Sequence, residues 1–236
     1  MDQIGNIIDN LPIQDYSQNA RRQEKVIGQK AAIRQIDPTD RRDMQRLRTI
    51  DRDPKVLRWM AGEPLRDEDL MYDAKGLNEY KIFVISGSQS LKDSNEIGEL
   101  QGIITVRPDK NERVEELRRL NLISQNSIQP ILEVSYAQYP NSANRQVASG
   151  LRQVCARISR INAEIAEKSE FSPNILITAY SDSENIDSIR VLENSGFERK
   201  GTVNYDGEEN SVYVLNWQQL NKLLHEQGEM EFKETI

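Results

Sequence analysis

The sequence predicts one mixed α/β sheet, mostly antiparallel, with helices on both faces. Three observations predict it. Runs of β-branched and aromatic residues alternate with amphipathic helical stretches along the whole chain. The strongest helical repeat is Val147, Leu151, Val154, Ile158, Ile161 and Ile165, spaced 4, 3, 4, 3, 4. At ~1.5 Å per residue such a helix is roughly 30 Å long, enough to cross a sheet. Asp206-Gly207 separates two alternating runs, the strongest short-range hairpin signal. The expected order is β-α-α-β-β-β-α-β-α-β-β.

The elements follow in order. Residues 1–30 form a polar extension, broken by a short apolar piece from Ile4 to Ile13. Such an arm is poorly ordered or docks on a neighbour, and a homodimer is compatible with it. The domain proper is expected over 31–217, with a helix and tail over 218–236. Ala31 to Ile36 alternates as a strand. Asp37 and Pro38 then read as the cap and first turn of a helix through Met44, Leu47 and Ile50. Pro54 opens a short helix with Val56, Leu57 and Trp59, and a polar helix or loop leads to Gly76.

Tyr80 to Ser86 and Ile97 to Val106 predict an antiparallel hairpin. Residues 109–128 read as an inserted charged helix with Val114, Leu117 and Leu120. Strand Ile131 to Gln138 precedes the long helix, in which Cys155 is expected to be core. Asn174 to Tyr180 is a strand, and a helix from Asn185 to Asn194 ends at Gly196. Two strands, about 198–205 and 210–216, and a terminal helix from Leu215 to Gln227 complete the chain.

Composition narrows the function. The chain has 236 residues, 37% hydrophobic and 29% charged, enough for one core. With 38 acidic against 31 basic residues the net charge is −7, and no basic stripe is visible, so nucleic acid is not expected as a partner. An acidic surface suits a cationic small molecule or a basic peptide. One cysteine, Cys155, excludes an intrachain disulfide, and with one histidine, His225, it cannot build a His/Cys metal site. No apolar run approaches the ~18 residues of a membrane span. No basic start followed by an apolar block follows Met1. Neither membrane nor metal is expected, and the expected location is cytoplasmic.

Two segments can carry chemistry. The first joins strand 131–138 to the long helix. Backbone N–H groups at that helix start, around Gln146, Val147 and Ala148, favour a phosphate. Ala143, Ala148, Ser149 and Gly150 would let a ligand approach, and Arg145 would add a charge-assisted contact. The same residues fit an ordinary strand-to-helix turn with small residues for packing. The second is Asn185 to Phe197. Asn185 and Ser188 share a helix face just beyond a strand's C-terminal end, where open α/β sheets bind ligands. Asn185 as helix cap and Ser188 as a solvent-exposed residue fit equally.

Asn185-x-x-Ser188, then Arg190-Val191-Leu192-Glu193, Ser195-Gly196-Phe197 and Lys200-Gly201, resembles the second motif of the GNAT N-acetyltransferases. The look is closest to the branch of ribosomal-protein N-terminal acetyltransferases, and the resemblance spans roughly 31–217. It implies an acyl-CoA fold with acetyl-CoA as co-substrate. Two registers align the family's pyrophosphate loop. One uses Arg145, Ala148 and Gly150; the other uses Ala143, Gln146 and Ala148 and keeps Val147, Leu151 and Val154 buried, which favours it. The resemblance also implies that backbone groups of Tyr136, Ala137 and Gln138 pair with the pantetheine chain, with Asn185 and Ser188 near it. The acceptor would be a primary amine of a small molecule or a protein N-terminus, lined by loops 61–79 and 107–129.

Amine acetylation needs a proton acceptor, because an alkyl ammonium has a pKa near ~10. Glu133, on a mostly apolar strand, is the expected base, directly or through water, its pKa raised by burial; a partly exposed strand residue without a catalytic role fits the same position equally. Where many members of the family have an acidic tyrosine, this chain has Leu192; Ser188, a water or, more remotely, Tyr136 would stand in. A domain that binds a partner without catalysis is the alternative, motivated by Ala143, Gln146, Leu192 and the 1–30 extension.

Overall fold

The computed structural model describes residues 32–59, 81–86, 100–109, 111–125, 129–139, 144–168, 175–205 and 208–226. The elements are β1 Ala32–Gln35, α1 Arg41–Asp51, α2 Pro54–Trp59, β2 Lys81–Ser86, β3 Leu100–Pro108, α3 Asn111–Arg119 and β4 Ile131–Gln138. They continue with α4 Asn144–Lys168, β5 Leu176–Asp182, α5 Ile186–Glu193, β6 Phe197–Tyr205, β7 Glu208–Leu215 and α6 Trp217–Glu226. The strands form one seven-stranded sheet, ordered β1-β2-β3-β4-β5-β7-β6. Every pairing is antiparallel except β4 with β5. The mixed, mostly antiparallel α/β fold is thus as the sequence predicts.

Side-chain alternation assigns the faces. Phe83, Ile85, Ile104, Val106, Leu132, Val134, Ile177 and Ala179 point to the side covered by α4, α5 and α6. The helical repeat of α4 supplies that cover: Val147, Leu151, Val154, Ile158 and Ile161 are all buried, as is Cys155. On the opposite face α1 packs Met44, Leu47 and Ile50 onto Ile82, Val84 and Ala137. Leu117, Ile123 and their neighbours cover Val203, Val212 and Val214 there. Between these two apolar patches β3, β4 and β5 present polar side chains.

Several boundaries differ from the sequence reading. The first helix is capped by Asp40, not Asp37: Asp40 Oδ1 accepts from the Arg42 N–H at 2.7 Å. Asp37 instead closes the preceding turn, accepting from Thr39 N at 2.8 Å and Thr39 Oγ1 at 2.6 Å. Two acidic caps three residues apart compete, and the later one sets the apolar stripe against the sheet. The helix expected over 109–128 is Asn111–Arg119. It stops because Asn121 takes a left-handed conformation (φ 57°), with Leu122 N bonded to Leu117 O at 3.0 Å and Asn121 N to Arg118 O at 2.9 Å. That pair of bonds is a Schellman end, and asparagine tolerates its left-handed position.

Strand β3 runs on to Pro108 because Leu132 lies opposite it, and β5 is shifted to Leu176–Asp182. The last hairpin has the expected two-residue connection, since Tyr205 pairs with Glu208. Residues 1–31, Ile97 to Glu99, loop 61–79, Pro140 to Ala143 and Asp206-Gly207 lie outside the described residues. No helix among the described residues is long and apolar enough to cross a membrane.

Candidate functional site

Strands β4 and β5 pair only over Ile131–Glu133 with Leu176–Thr178. Beyond that point β5 pairs with β7 and β4 with β3, so the two central strands part. Two bonds fix which backbone groups face the gap. Tyr139 N donates to Gln101 O at 2.9 Å and Asp109 N to Ile131 O at 3.0 Å. Alternation in an antiparallel ladder then turns Glu133, Ser135 and Ala137 toward β3. The N–H and C=O groups of Val134, Tyr136 and Gln138 point to the β5 side. Of the three residues expected to present backbone to a ligand, Ala137 is therefore corrected: its groups are used against Ile103, and its side chain is buried under α1.

The wall opposite β4 begins with α5. Asn185 caps it, its Oδ1 accepting from Ser188 N at 3.1 Å. Tyr136 reaches across from β4: its hydroxyl donates to Ser188 O at 2.8 Å and lies 2.8 Å from Ser188 Oγ. Burial pushes the Tyr136 phenol well above its ordinary value, so it is a neutral hydrogen-bonding group at physiological pH. Ser188, read from the sequence as either ligand contact or solvent-exposed, is bonded inside the cleft. Asn185→Ala should cost about 1 kcal/mol through the lost cap, read as a fall of roughly 2–4 °C in Tm.

Val147, Ala148, Ser149 and Gly150 at the start of α4 are all buried. A Cβ on Gly150 would lie 2.9 Å from Ile85 Cγ1, so this glycine serves helix-to-sheet approach rather than ligand clearance. Gln146 Oε1 is buried and has no hydrogen-bond partner among the described residues. The side chain of Arg145 lies outside them. Arg152, unsuspected inside an apolar repeat, is buried and donates from Nη1 to Asn194 O at 2.7 Å. Ser195 Oγ adds bonds to Val191 O at 2.7 Å and Ala148 O at 3.3 Å. These contacts fasten the end of α5 to α4, on a helix terminus that favours a cation. Leu192 is fully buried and belongs to the core.

On the other face, at the vertex where β4 and β5 part, lies a polar cluster. Glu133 is gripped by two guanidinium groups. Arg107 Nε and Nη2 donate to its two oxygens at 2.8 Å each, and Arg113 Nη1 lies 2.7 Å from Oε2. Burial raises the Glu133 pKa, but Arg107 and Arg113 more than offset it and leave the carboxyl below its ordinary value. The elevation expected of a base on an apolar strand is therefore reversed. Sequence reasoning missed the cause, because Arg107 and Arg113 sit 26 and 20 positions away in the chain. Beside it, Asp109 Oδ2 accepts from Tyr180 OH at 2.6 Å and Thr178 Oγ1 at 2.9 Å. Burial is the main cause that raises the Asp109 pKa, and the Glu133 charge adds to it. The Arg113 guanidinium stacks 4.4 Å from the Tyr180 ring centroid.

A sheet parted at two adjacent parallel strands can be compared with solved structures. A Bacillus halodurans protein of uncharacterized function superposes with a TM-score of 0.61 at 12% identity, covering 89% of this chain and 95% of that one. The aminoglycoside acetyltransferase AAC(6')-Ib, in complex with coenzyme A and kanamycin, superposes at 0.56 and 13% identity, covering 82% and 98%. A GNAT-family acetyltransferase from Bacillus anthracis gives 0.51 at 16% identity, covering 79% and 94%. This is the GNAT acetyltransferase fold. The GNAT likeness is one of three-dimensional structure: no family model and no curated protein matches the sequence. No group of three or more His, Cys, Asp or Glu residues placed to hold a metal occurs among the described residues of this GNAT fold.

Proposed function

We propose that this protein binds acetyl-CoA in the gap between β4 and β5 and transfers the acetyl group to a primary amine. The observation that carries this reading is the parting of two parallel strands after Glu133 and Thr178. A parallel pair gains from continuing its ladder, so a gap lined by Val134, Tyr136 and Gln138 backbone suits a linear ligand that carries amides of its own. Pantetheine is such a ligand. Asn185 and Ser188 would flank it, and the Tyr136–Ser188 bridge would have to share its bonds with it. The pyrophosphate would lie toward the start of α4, where the backbone N–H groups of the first turn, Asn144, Arg145 and Gln146, have no helical partner, whereas those of Val147, Ala148 and Ser149 are used inside the helix. The acceptor would approach from the opposite face, toward the cluster of Glu133 and Asp109. A protein N-terminus, as in the ribosomal-protein branch, and a small-molecule amine both meet this chemistry.

The second reading, a GNAT-fold module that binds a partner without transferring, has one observation in its favour: the Glu133 carboxylate is held in its charged form and paired with Arg107 and Arg113, so it is poorly placed to take a proton. Calorimetric titration with acetyl-CoA, followed by thiol release across a panel of amines and N-terminal peptides, separates the two. Micromolar binding with thiol release is the expected result. Thiol release with any amine removes the module, and no binding at millimolar ligand defeats acetyl transfer and leaves the partner-binding module standing.

A further inference from the structure

We propose that Tyr180 and Asp109 together take up the proton the acceptor amine must lose, Tyr180 by touching the amine and Asp109 as a positioning residue acting through Tyr180. The inference rests on the amine-acetylation reading above and assigns its proton path.

Tyr180 lies on β5 just past Thr178, the last residue of β5 that pairs with β4. Thr178, Tyr180 and Glu133 share one face of the sheet, so Tyr180 stands at the vertex of the gap on the side opposite α4. Its hydroxyl donates to Asp109 Oδ2 at 2.6 Å, and the phenolic oxygen, which has the Thr178 hydroxyl beside it, keeps a lone pair that can accept from a donor arriving from outside. Thr178 Oγ1 donates to the same carboxylate oxygen at 2.9 Å and holds it in place. The charged and titratable groups around Asp109 are Tyr180 from β5, Glu133 from β4, Arg113 from α3 and, through Glu133, Arg107 from β3. Glu133 has both oxygens engaged by guanidinium groups and is held in its charged form. Asp109 is the carboxyl of the cluster whose surroundings favour taking a proton. Tyr180 is pushed far above its ordinary value by burial and by Asp109, so it passes a proton on without storing a charge.

The step balances as follows. One ammonium proton moves to the Tyr180 oxygen while the phenolic proton of Tyr180 moves to Asp109 Oδ2. Asp109 becomes neutral and the amine becomes nucleophilic. Its lone pair forms the N–C bond to the thioester carbon, the C–S bond breaks, and its electron pair leaves on sulfur. The remaining surplus nitrogen proton neutralises that thiolate, and the product leaves as the thiol.

The experiment uses the full chain as wild type, Asp109→Asn and Tyr180→Phe. Three readouts are taken: acetyl-CoA affinity by calorimetry, kcat/KM against pH for the best amine, and carbon-13 NMR titration of the aspartate carboxyls. Both variants should bind acetyl-CoA within about twofold of wild type and lose roughly 10²-fold in kcat, as expected for removal of acid–base catalysis. The acid limb of the wild-type profile should vanish in Asp109→Asn, together with one carboxyl resonance that titrates above the usual aspartate range. Asp109→Asn keeps an oxygen for both donors, and Tyr180→Phe gives an independent second variant. An Asp109→Asn enzyme that keeps its kcat and its acid limb overturns the pair and leaves acetyl transfer standing. A wild type that binds acetyl-CoA but acetylates no amine overturns both.

Discussion

Replacing Glu133 with alanine is expected to lower folding stability by about 3–5 kcal/mol, the usual result of removing one member of a buried ionic cluster. The Glu133 side chain is 6% exposed, against 22% for Arg107 and 12% for Arg113. Two guanidinium groups would thus be left beside an apolar sheet without their counter-charge. The cost comes from those stranded charges, not from the pair's own attraction. A triple variant that replaces Glu133, Arg107 and Arg113 with apolar residues of similar volume should therefore recover most of the loss. Urea melts of the single and triple variants check both statements. A triple variant as unstable as the single one would mean that the cluster itself, rather than its imbalance, sustains the fold.

The same carboxyl sets a pH dependence. Its folded-state pKa lies below that of an unfolded glutamate, ~4.3. The folded state therefore binds fewer protons, and the stabilisation is present above that unfolded value and lost as pH falls through the folded one. Asp109, with a raised pKa, acts in the opposite sense: its ionisation weakens the fold as pH rises through its folded value. Stability in the acid range is thus a difference between two neighbouring carboxyls. Removing Glu133 should flatten the acid-side decline.

Gly196→Ala is expected to cost about 3 kcal/mol, from two causes that add. Gly196 has φ +88°, where an L side chain is strained. A Cβ there would also meet the backbone of α6, at 3.0 Å from Leu220 N and 3.1 Å from Leu220 Cα. Backbone cannot swing aside as a side-chain tip can. Gly201→Ala is the control: its Cβ would meet only the end of Leu120, 3.0 Å from Cδ2, at no left-handed φ. Thermal melts should show Gly196→Ala several degrees lower and Gly201→Ala near wild type. Gly196 O also accepts from Asn216 N at 2.9 Å, and Asn216 caps α6. The loss should therefore include the docking of the last helix.

The local signals in the chain were legible because they are periodic or punctuated. The repeat from Val147 to Ile161 announces α4, the β-branched run from Ile131 to Gln138 coincides with β4, and Gly196 marks the end of α5. Signals that needed a competitor to be weighed were less legible. Asp37 and Asp40 both qualify as caps, and only packing of Met44, Leu47 and Ile50 chooses between them. Asn121 ends α3 early because it accepts φ 57°, a cue visible in the sequence but weaker than the charged repeat around it.

Residue order alone dictates the alternation of strands and helices, the buried stripe of α4 and the polar character of β4 at Glu133. These depend on residue type and on spacing within one element, which short-range geometry dictates. The state of Glu133 depends instead on contacts between distant segments. A carboxyl on an apolar strand reads as a raised-pKa base, and would be one if burial acted alone. Arg107 from β3 and Arg113 from α3 reverse that, while Tyr180 and Thr178 gather around Asp109 instead. Charges brought together by sheet register and helix packing interact over a few ångströms and outweigh the local environment. Sequence separation carries no trace of those distances.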